Sequence, residues 1–315
     1  MSFDHASLCL KAAADPSRLR LLAVLACGEA SVGELQAVLA QSQPRVSRHL
    51  RLLTEAGLVE RDREGHWVFY RLVRQPAANS LLEGIWPLID TDDPQRLADQ
   101  QSFEQVKQAR RRDAYSSGAA LVAASQSRER PDAGSLTAAL DEVLGDTQFS
   151  ALLDIGCGSG ALLALLARRS QKLVGVDVAR SMRNLARSRA SDQGLANCSI
   201  RDGELSALPF ADQSFDCVVL DEVLSVVADP GAGLDEAIRV LRPFGQLLVL
   251  DCVAPVAVRL ESGAGRRLIE NQLSAWMSER RIRLRERIWF PGKTLAYALF
   301  AGELNPVWAR TGTGN

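Results

Sequence analysis

Asp154-Ile155-Gly156-Cys157-Gly158-Ser159-Gly160 sets an acid near the end of an apolar run and three glycines at alternate positions behind it. Glycine adopts backbone angles closed to other residues and lets a ligand approach the main chain. The segment therefore reads as a strand, a ligand-cradling turn and the start of a helix. Asp177 closes the next apolar run, LVGVD, 23 residues after Asp154. An acid about 20 residues beyond such a turn can hold both hydroxyls of a ribose. Gly156, Gly158 and Ala161 also satisfy the dinucleotide pattern loosely, so the motif alone admits two ligand classes. Charge separates them. Asp154, read at the mouth of the loop, would repel a pyrophosphate and attract an ammonium-bearing ligand such as S-adenosylmethionine. A carboxylate capping nearby backbone N–H groups is compatible with either.

A second set of residues points to nucleic acid. Ser42–Leu53 carries Arg45, Arg48 and Arg51 and no acid. Val46, Leu50 and Leu53 share one helical face, while Pro44, Ser47, Arg48 and Arg51 lie on the other side. Ahead of it, Val32–Ala40 reads as a shorter helix capped by Ser31, with Glu34 at the capping-box position. Asp15-Pro16-Ser17 opens another helix, which runs to Gly28. Two short helices around a tight turn, the second basic outward, describe a helix-turn-helix. Arg48 would reach guanine O6/N7, Ser47 and Gln43 bases or phosphates, with Arg45 and Arg51 on the same basic helix. The competing reading is a surface helix whose arginines face water. Leu58–Leu72 then reads as a β-hairpin turning at Glu64-Gly65, with Arg61, Arg63 and His66 near its tip and Trp67, Phe69 and Tyr70 as core at its base.

The elements that hold these residues fall into three stretches of the 315-residue chain. Residues 1–90 are a winged helix-turn-helix module, 91–145 a helical connector, 146–305 a domain of alternating strands and helices, and 306–315 a tail. Strand–helix alternation from Leu152 onward implies a mostly parallel sheet, closed by an antiparallel hairpin of Ile282–Phe290, a Pro291-Gly292 turn and Leu295–Ala301. The fold class expected is multidomain, α+β then α/β. In the connector, Ala77–Ile89 and the charged Pro94–Tyr115 read as helices, the second either solvated or dimer-forming.

Composition narrows the chemistry. The 37 basic and 38 acidic residues leave a net charge of −1, so any polyanion-binding surface is local. All three histidines, His5, His49 and His66, precede residue 70, which leaves the second domain without a histidine base. The six cysteines are scattered with no CxxC pair, as expected of a reduced cytoplasmic chain without a metal site. No apolar stretch approaches the ~20 residues of a membrane span, and no signal peptide is expected.

The order AAADPSRLRLLAVL, SVGELQAVLAQSQPRVSRHLRLLTEAGLVERDREGHWVFYRL resembles the ArsR/SmtB group of winged helix-turn-helix repressors over about 60 residues. The resemblance implies a homodimer on double-stranded operator DNA, formed through the first helix and the helix after the wing. Metal-sensing members carry a cysteine pair where this chain reads Ser31-Val32-Gly33-Glu34, so metal sensing is disfavoured.

From about residue 150 to 253 the glycine loop, Asp202-Gly203-Glu204-Leu205, the block Leu208–Val219 and Ile238–Gly245 resemble class I, UbiE-like S-adenosylmethionine-dependent methyltransferases. That resemblance places Gly156, Gly158 and Gly160 beneath the methionine part of the ligand. It assigns Asp177 to the ribose, Asp202 to the adenine amino group with Gly203 and Glu204 alongside, and Leu220 and Asp221 to the border of the sulfonium. Phe244 stands where this family usually has glycine. Asp221 and Glu222 are the nearest general-base candidates, with helix capping as their competing role. The expected function is a DNA-binding regulator with a methyltransferase domain that methylates a small molecule, S-adenosylhomocysteine being product or effector. The alternative is a non-catalytic repressor using that domain as a sensor, and a metal-responsive repressor is a distant third.

Overall fold

A computed structural model describes residues 2–73, 76–118, 130–254, 268–290 and 296–305. They form two compact units, Met1–Gly118 with Asn184–Asn197, and Ala119–Arg183 with Cys198–Asn315. The Pro291-Gly292 turn and the tail lie outside the described residues.

The first unit opens with a helix absent from the sequence reading, α1 (Phe3–Ala13), whose Ser2 side chain accepts from the His5 amide and whose first turn holds Asp4. In α2 (Pro16–Ala26) Asp15 caps the Arg18 amide and proline occupies the first turn, where its missing N–H costs nothing. A two-residue strand β1 (Ala30–Ser31) leads into α3 (Val32–Leu39), and the capping box of Ser31 and Glu34 is complete. In α4 (Gln43–Glu55) the stripe Val46, Leu50 and Leu53 is fully buried. Ser42 sits at the cap position but makes no side-chain cap bond. Pro44 has already removed one amide from that first turn.

The hairpin β2 (Val59–Glu64) and β3 (Trp67–Leu72) forms the expected wing, with β1 added on the far side of β3. Its turn is Gly65-His66, one residue beyond the expected place. Phe69 and Tyr70 are buried, but Trp67, paired with Glu64 at the tip, is 43% exposed and is not base core. A helix α5 (Pro76–Ile85) and a 3-10 turn Trp86–Leu88 follow.

The charged helix α6 (Pro94–Ser117) is not solvated all round. Phe103 and Ala114 are buried, and the buried carboxylate of Asp99 accepts two bonds from Arg20, both 2.7 Å. Arg110 donates to Glu34 at 2.6 and 2.7 Å, so one acid serves both a capping box and a buried ion pair. Burial opposes ionisation of Glu34, yet the Arg110 guanidinium and the Ser31 bonds hold its carboxyl below the ordinary value. In the same unit Arg187 is buried between Glu29, at 2.8 Å, and Glu64, with its guanidinium 3.9 Å from the Phe69 ring centroid. That contact fixes the base and far end of the wing together.

In the second unit α7 (Ala133–Leu144), capped by Asp132, precedes a sheet of order β10-β11-β8-β7-β4-β5-β6. The strands are β4 (Phe149–Ile155), β5 (Ser170–Asp177), β6 (Cys198–Asp202), β7 (Phe215–Asp221), β8 (Leu241–Ala254), β10 (Ile282–Phe290) and β11 (Ala296–Leu304), with β9 (Leu268–Ile269) beside β8. The pairings β8-β7, β7-β4, β4-β5 and β5-β6 are parallel, and β11 and β10 add antiparallel, as expected. The helix after the glycine turn, α8, is only Leu163–Ala167, followed by α9 (Arg180–Asp192), which from Asn184 onward counts with the first unit, α10 (Pro230–Val240) and α11 (Glu270–Glu279). The core gathers Leu153, Ile155, Val176, Val218, Leu220, Val249 and Phe300. On the edge strand β10, Arg283, Arg285 and Arg287 are exposed, while Ile282 is buried and Leu284 and Ile288 half-buried. No described helix is long and apolar enough to cross a membrane.

Phe244 explains why its position favours glycine. It sits at φ +63° where the β7-β8 register shifts, and its ring is 59% exposed. A left-handed conformation costs a side-chain-bearing residue about 1–2 kcal/mol. Part of the relief offered by glycine is lost to its freer unfolded chain. Phe244→Gly is therefore expected to stabilise the second unit by about 1 kcal/mol, read as a higher urea midpoint. A lower midpoint would refute the strain assignment.

Candidate functional site

The strand register assembles the acids that the sequence singled out. β4 lies between β5 and β7, so the chain runs outward from it in both directions, and the carboxyl ends at such a point form a ligand crevice. Asp154 is the penultimate residue of β4 and Asp177 the last of β5, Asp177 is level with Asp202 on β6, and Ile155 is level with Leu220 on β7. Gly156, Gly158 and Gly160 all take positive φ (75°, 52° and 83°). At Gly156 a Cβ would stand 2.8 Å from the Asp221 carbonyl oxygen, whereas at Gly158 it would meet only the Gly156 oxygen at 3.8 Å. Gly156 is thus required by chain packing, and Gly158 has open space beside it.

Asp154 is not at the mouth of the loop and caps no amide. It is fully buried, and among the described residues neither carboxylate oxygen has a hydrogen-bond partner. Burial, reinforced by Asp221, pushes its pKa well above the usual carboxylate range, although Arg130 opposes the shift. A buried acid without a donor is costly unless a positive group reaches it.

Amide capping falls instead to Asp177. One oxygen accepts from Gly158 N at 2.9 Å and the other from Ala179 N at 2.7 Å, leaving lone pairs on both. Burial raises its pKa, and the two amides restrain the rise. Asp202 is exposed and pairs with Arg183 at 2.9 Å; Arg183 also donates to the Asp177 carbonyl at 2.8 Å. At Gly203 a Cβ would lie 2.8 Å from Val176 Cγ1, so the chain is tight there, and Glu204 is exposed in the following turn. The Leu220 side chain belongs to the apolar core, so only its main chain can border the site.

Asp221 and Glu222 do not cap a helix, because the next one starts only at Pro230. Both bind Arg130, whose guanidinium lies 2.8 Å from Asp221 Oδ1 and donates to Glu222 Oε1 at 3.0 Å. Burial pushes the Asp221 carboxyl up to about 6 against the pull of Arg130, with Glu222 and Asp251 adding to the rise. Glu222 is held at φ +53°, a strained setting of the kind found at functional positions. Asp251 is also buried and accepts from Ser225 N and Cys252 N. Sequence reasoning missed Arg130, Arg183 and Asp251. The first lies in a stretch read as connector, and only the LLVLD pattern, an acid ending an apolar strand, signalled the last.

On the first unit Gln43, Arg45, Arg48 and Arg51 are exposed and Ser47 is half-buried. Arg18, Ser42, Arg45, Arg48 and His49 line a polar cleft along α4. Burial lowers the His49 pKa against the attraction of Asp15. Arg51 is 3.7 Å from Glu55 one turn on, an exposed pair of little strength. Arg61, Arg63 and His66 are exposed on the wing. Cys9 donates to the Ala56 carbonyl and Cys27 to that of Ala23, both packing roles.

A family model of bacterial regulatory proteins of the arsR family matches residues 15–61, and a methyltransferase-domain model matches residues 153–249. The biofilm growth-associated repressor of Agrobacterium fabrum (strain C58 / ATCC 33970) is 45% identical over 82 residues, covering 26% of this chain and 69% of that protein. A ubiquinone/menaquinone biosynthesis C-methyltransferase, UbiE, of Legionella pneumophila (strain Paris) is 37% identical over 109 residues, covering 33% of this chain and 44% of that protein. The chain thus spans less than half of that enzyme's length. A solved structure from Bacillus halodurans C-125, described as a presumptive methyltransferase, aligns with a TM-score of 0.50 at 17% identity, covering 55% of this chain and 100% of that one, a likeness of fold. By these matches the chain belongs to the arsR family of bacterial regulatory proteins and carries, behind its DNA-binding module, an S-adenosylmethionine-dependent methyltransferase domain.

Proposed function

We propose that this chain is a dimeric, operator-binding transcriptional regulator whose second unit binds S-adenosylmethionine and transfers its methyl group to a small molecule. The observation that carries the cofactor reading is Asp154, buried and, among the described residues, without a hydrogen-bond donor, beside a glycine turn with open space at Gly158. Such a site fits a ligand with positive groups. Asp154 and Asp221 would attract the ammonium and sulfonium, Asp177 would accept from the ribose hydroxyls, and Asp202 with Gly203 and Glu204 would meet the adenine edge.

When bound, S-adenosylmethionine supplies an activated methyl group on a positively charged sulfur. The chain's own contribution is positioning, which can provide most of the acceleration. Asp221 and Glu222 are engaged by Arg130, so a base role would require that pairing to open. The acceptor that fits is one bringing its own nucleophile. The same engagement favours a second reading, a non-catalytic sensor of S-adenosylmethionine or S-adenosylhomocysteine. Dimerisation through α1 and the segment after the wing is supported by Phe3, Leu10 and Leu88, apolar side chains 95%, 54% and 82% exposed in one chain.

Arg48→Ala is expected to weaken operator binding by about 1–3 kcal/mol and to relax specificity at one base pair. Arg51→Ala should weaken it uniformly and lower the salt slope by about 1. Fluorescence anisotropy on a selected operator checks both, and unchanged affinity at moderate salt would refute the helix assignment. Asp177→Ala should weaken S-adenosylmethionine binding about tenfold or more, since hydrogen bonds to a charged group are lost. A wild-type calorimetric isotherm would remove Asp177 from the site.

The pH dependence has a definite sign. Asp221 is ionised above about 6 and takes up a proton below it. A cationic ligand favours the ionised form. Affinity for S-adenosylmethionine should therefore fall as pH drops from 8 to 5, with S-adenosylhomocysteine less affected. Parallel profiles for the two ligands would show that Asp221 does not face the sulfonium.

A further inference from the structure

We propose that Arg130 is a built-in counter-cation that competes with the positive charge of the methyl donor for Asp221 and Glu222, and so sets how strongly the site prefers the sulfonium over the neutral thioether. The proposal rests on the reading of the second unit as an S-adenosylmethionine site.

The guanidinium forks across two successive acids, reaching Asp221 at 2.8 and 3.0 Å and Glu222 at 3.0 Å. The two carboxylates are almost wholly buried and the arginine is one-fifth exposed, so the pairing is screened little by water. Asp154, beneath them, acts on the same arginine electrostatically and has no donor of its own. Among the described residues three carboxylates thus share this cation. At Glu222 the main chain is held in a left-handed conformation, which the arginine contact helps to pay for.

S-adenosylmethionine carries a sulfonium, an ammonium and a carboxylate; S-adenosylhomocysteine has the same amino-acid part and lacks the transferred methyl group and, with it, the sulfonium charge. A change in the ratio of their affinities between wild type and variant therefore reports the potential at the sulfur. With Arg130 in place the carboxylate field is partly cancelled. The site then holds donor and product with similar strength, as release of one and sensing of the other require. Without Arg130 the field is bare and the charged sulfur gains. If Arg130 instead gripped the ligand carboxylate, its loss would weaken both ligands equally, because both possess that group.

The test is calorimetric titration of full-length wild type, Arg130→Gln and Arg130→Lys with each ligand. The expected result is a ratio of S-adenosylmethionine to S-adenosylhomocysteine affinity about tenfold higher in Arg130→Gln than in wild type, as for a nearby buried charge. Arg130→Lys should keep the ratio near the wild-type value. Equal losses for both ligands in Arg130→Gln, or an unchanged ratio, would overturn the proposal while leaving the cofactor site standing. Should Arg130→Gln not fold, Glu222→Gln probes the same balance from the other side. There the ratio should fall several-fold, and an unchanged ratio overturns the proposal. Wild type that binds neither ligand overturns the cofactor reading and this inference together.

Discussion

The second unit is organised around a buried excess of negative charge. Parallel pairing of β4 with β5 and β7 leaves Asp154 no freedom to turn outward, since a strand side chain points to one face or the other and a slip of one residue would bury polar groups throughout the core. Asp221 and Asp251 are carried to the same edge by β7 and β8. The fold tolerates this because Arg130 supplies one cation, amides of Ser225 and Cys252 satisfy Asp251, and amides of Gly158 and Ala179 satisfy Asp177. Among the described residues Asp154 is left without a hydrogen-bond donor on either oxygen. The positive φ at Gly156 and Glu222 and the pairing at Arg130 all lie around that residual charge.

The first unit applies the opposite electrostatics. Its buried ion pairs, Arg20 with Asp99, Arg110 with Glu34 and Arg187 with Glu29 and Glu64, hold four acids of the module inside the structure. The arginines of α4 are turned outward by the stripe Val46, Leu50 and Leu53. A near-zero net charge therefore conceals one surface suited to a polyanion and one crevice suited to a cation. Breaking any one buried pair by removing a partner would leave an uncompensated charge, a loss of several kcal/mol.

What was legible in the sequence followed from short-range rules. The capping box of Ser31 and Glu34, the apolar spacing in α4, the glycine turn and the acids ending β5, β6 and β7 depend on neighbours within a few residues or on strand period, and the structure reproduces them. The exceptions depend on tertiary surroundings. Trp67 looked like core by hydropathy but lies at a hairpin tip. Asp154 was placed at a loop mouth, although its strand continues to Ile155 and keeps it inside. Arg130 carried no local signal, because its role arises from acids 91 and 92 residues away. Helix α1 was signalled only weakly, by Ser2 and Asp4.

The outermost strand β10 bears on how such chains behave in a crowded solution. Its partner β11 pairs with one side, and among the described residues no strand pairs with the other, an edge on which a second polypeptide could add. Arg283, Arg285 and Arg287 line that strand in alternation, and a register irregularity falls between Leu284 and Glu286. An incoming strand would meet mutual repulsion and a broken ladder. The arginines of this edge thus act as a guard against aggregation, keeping the sheet at a finite width.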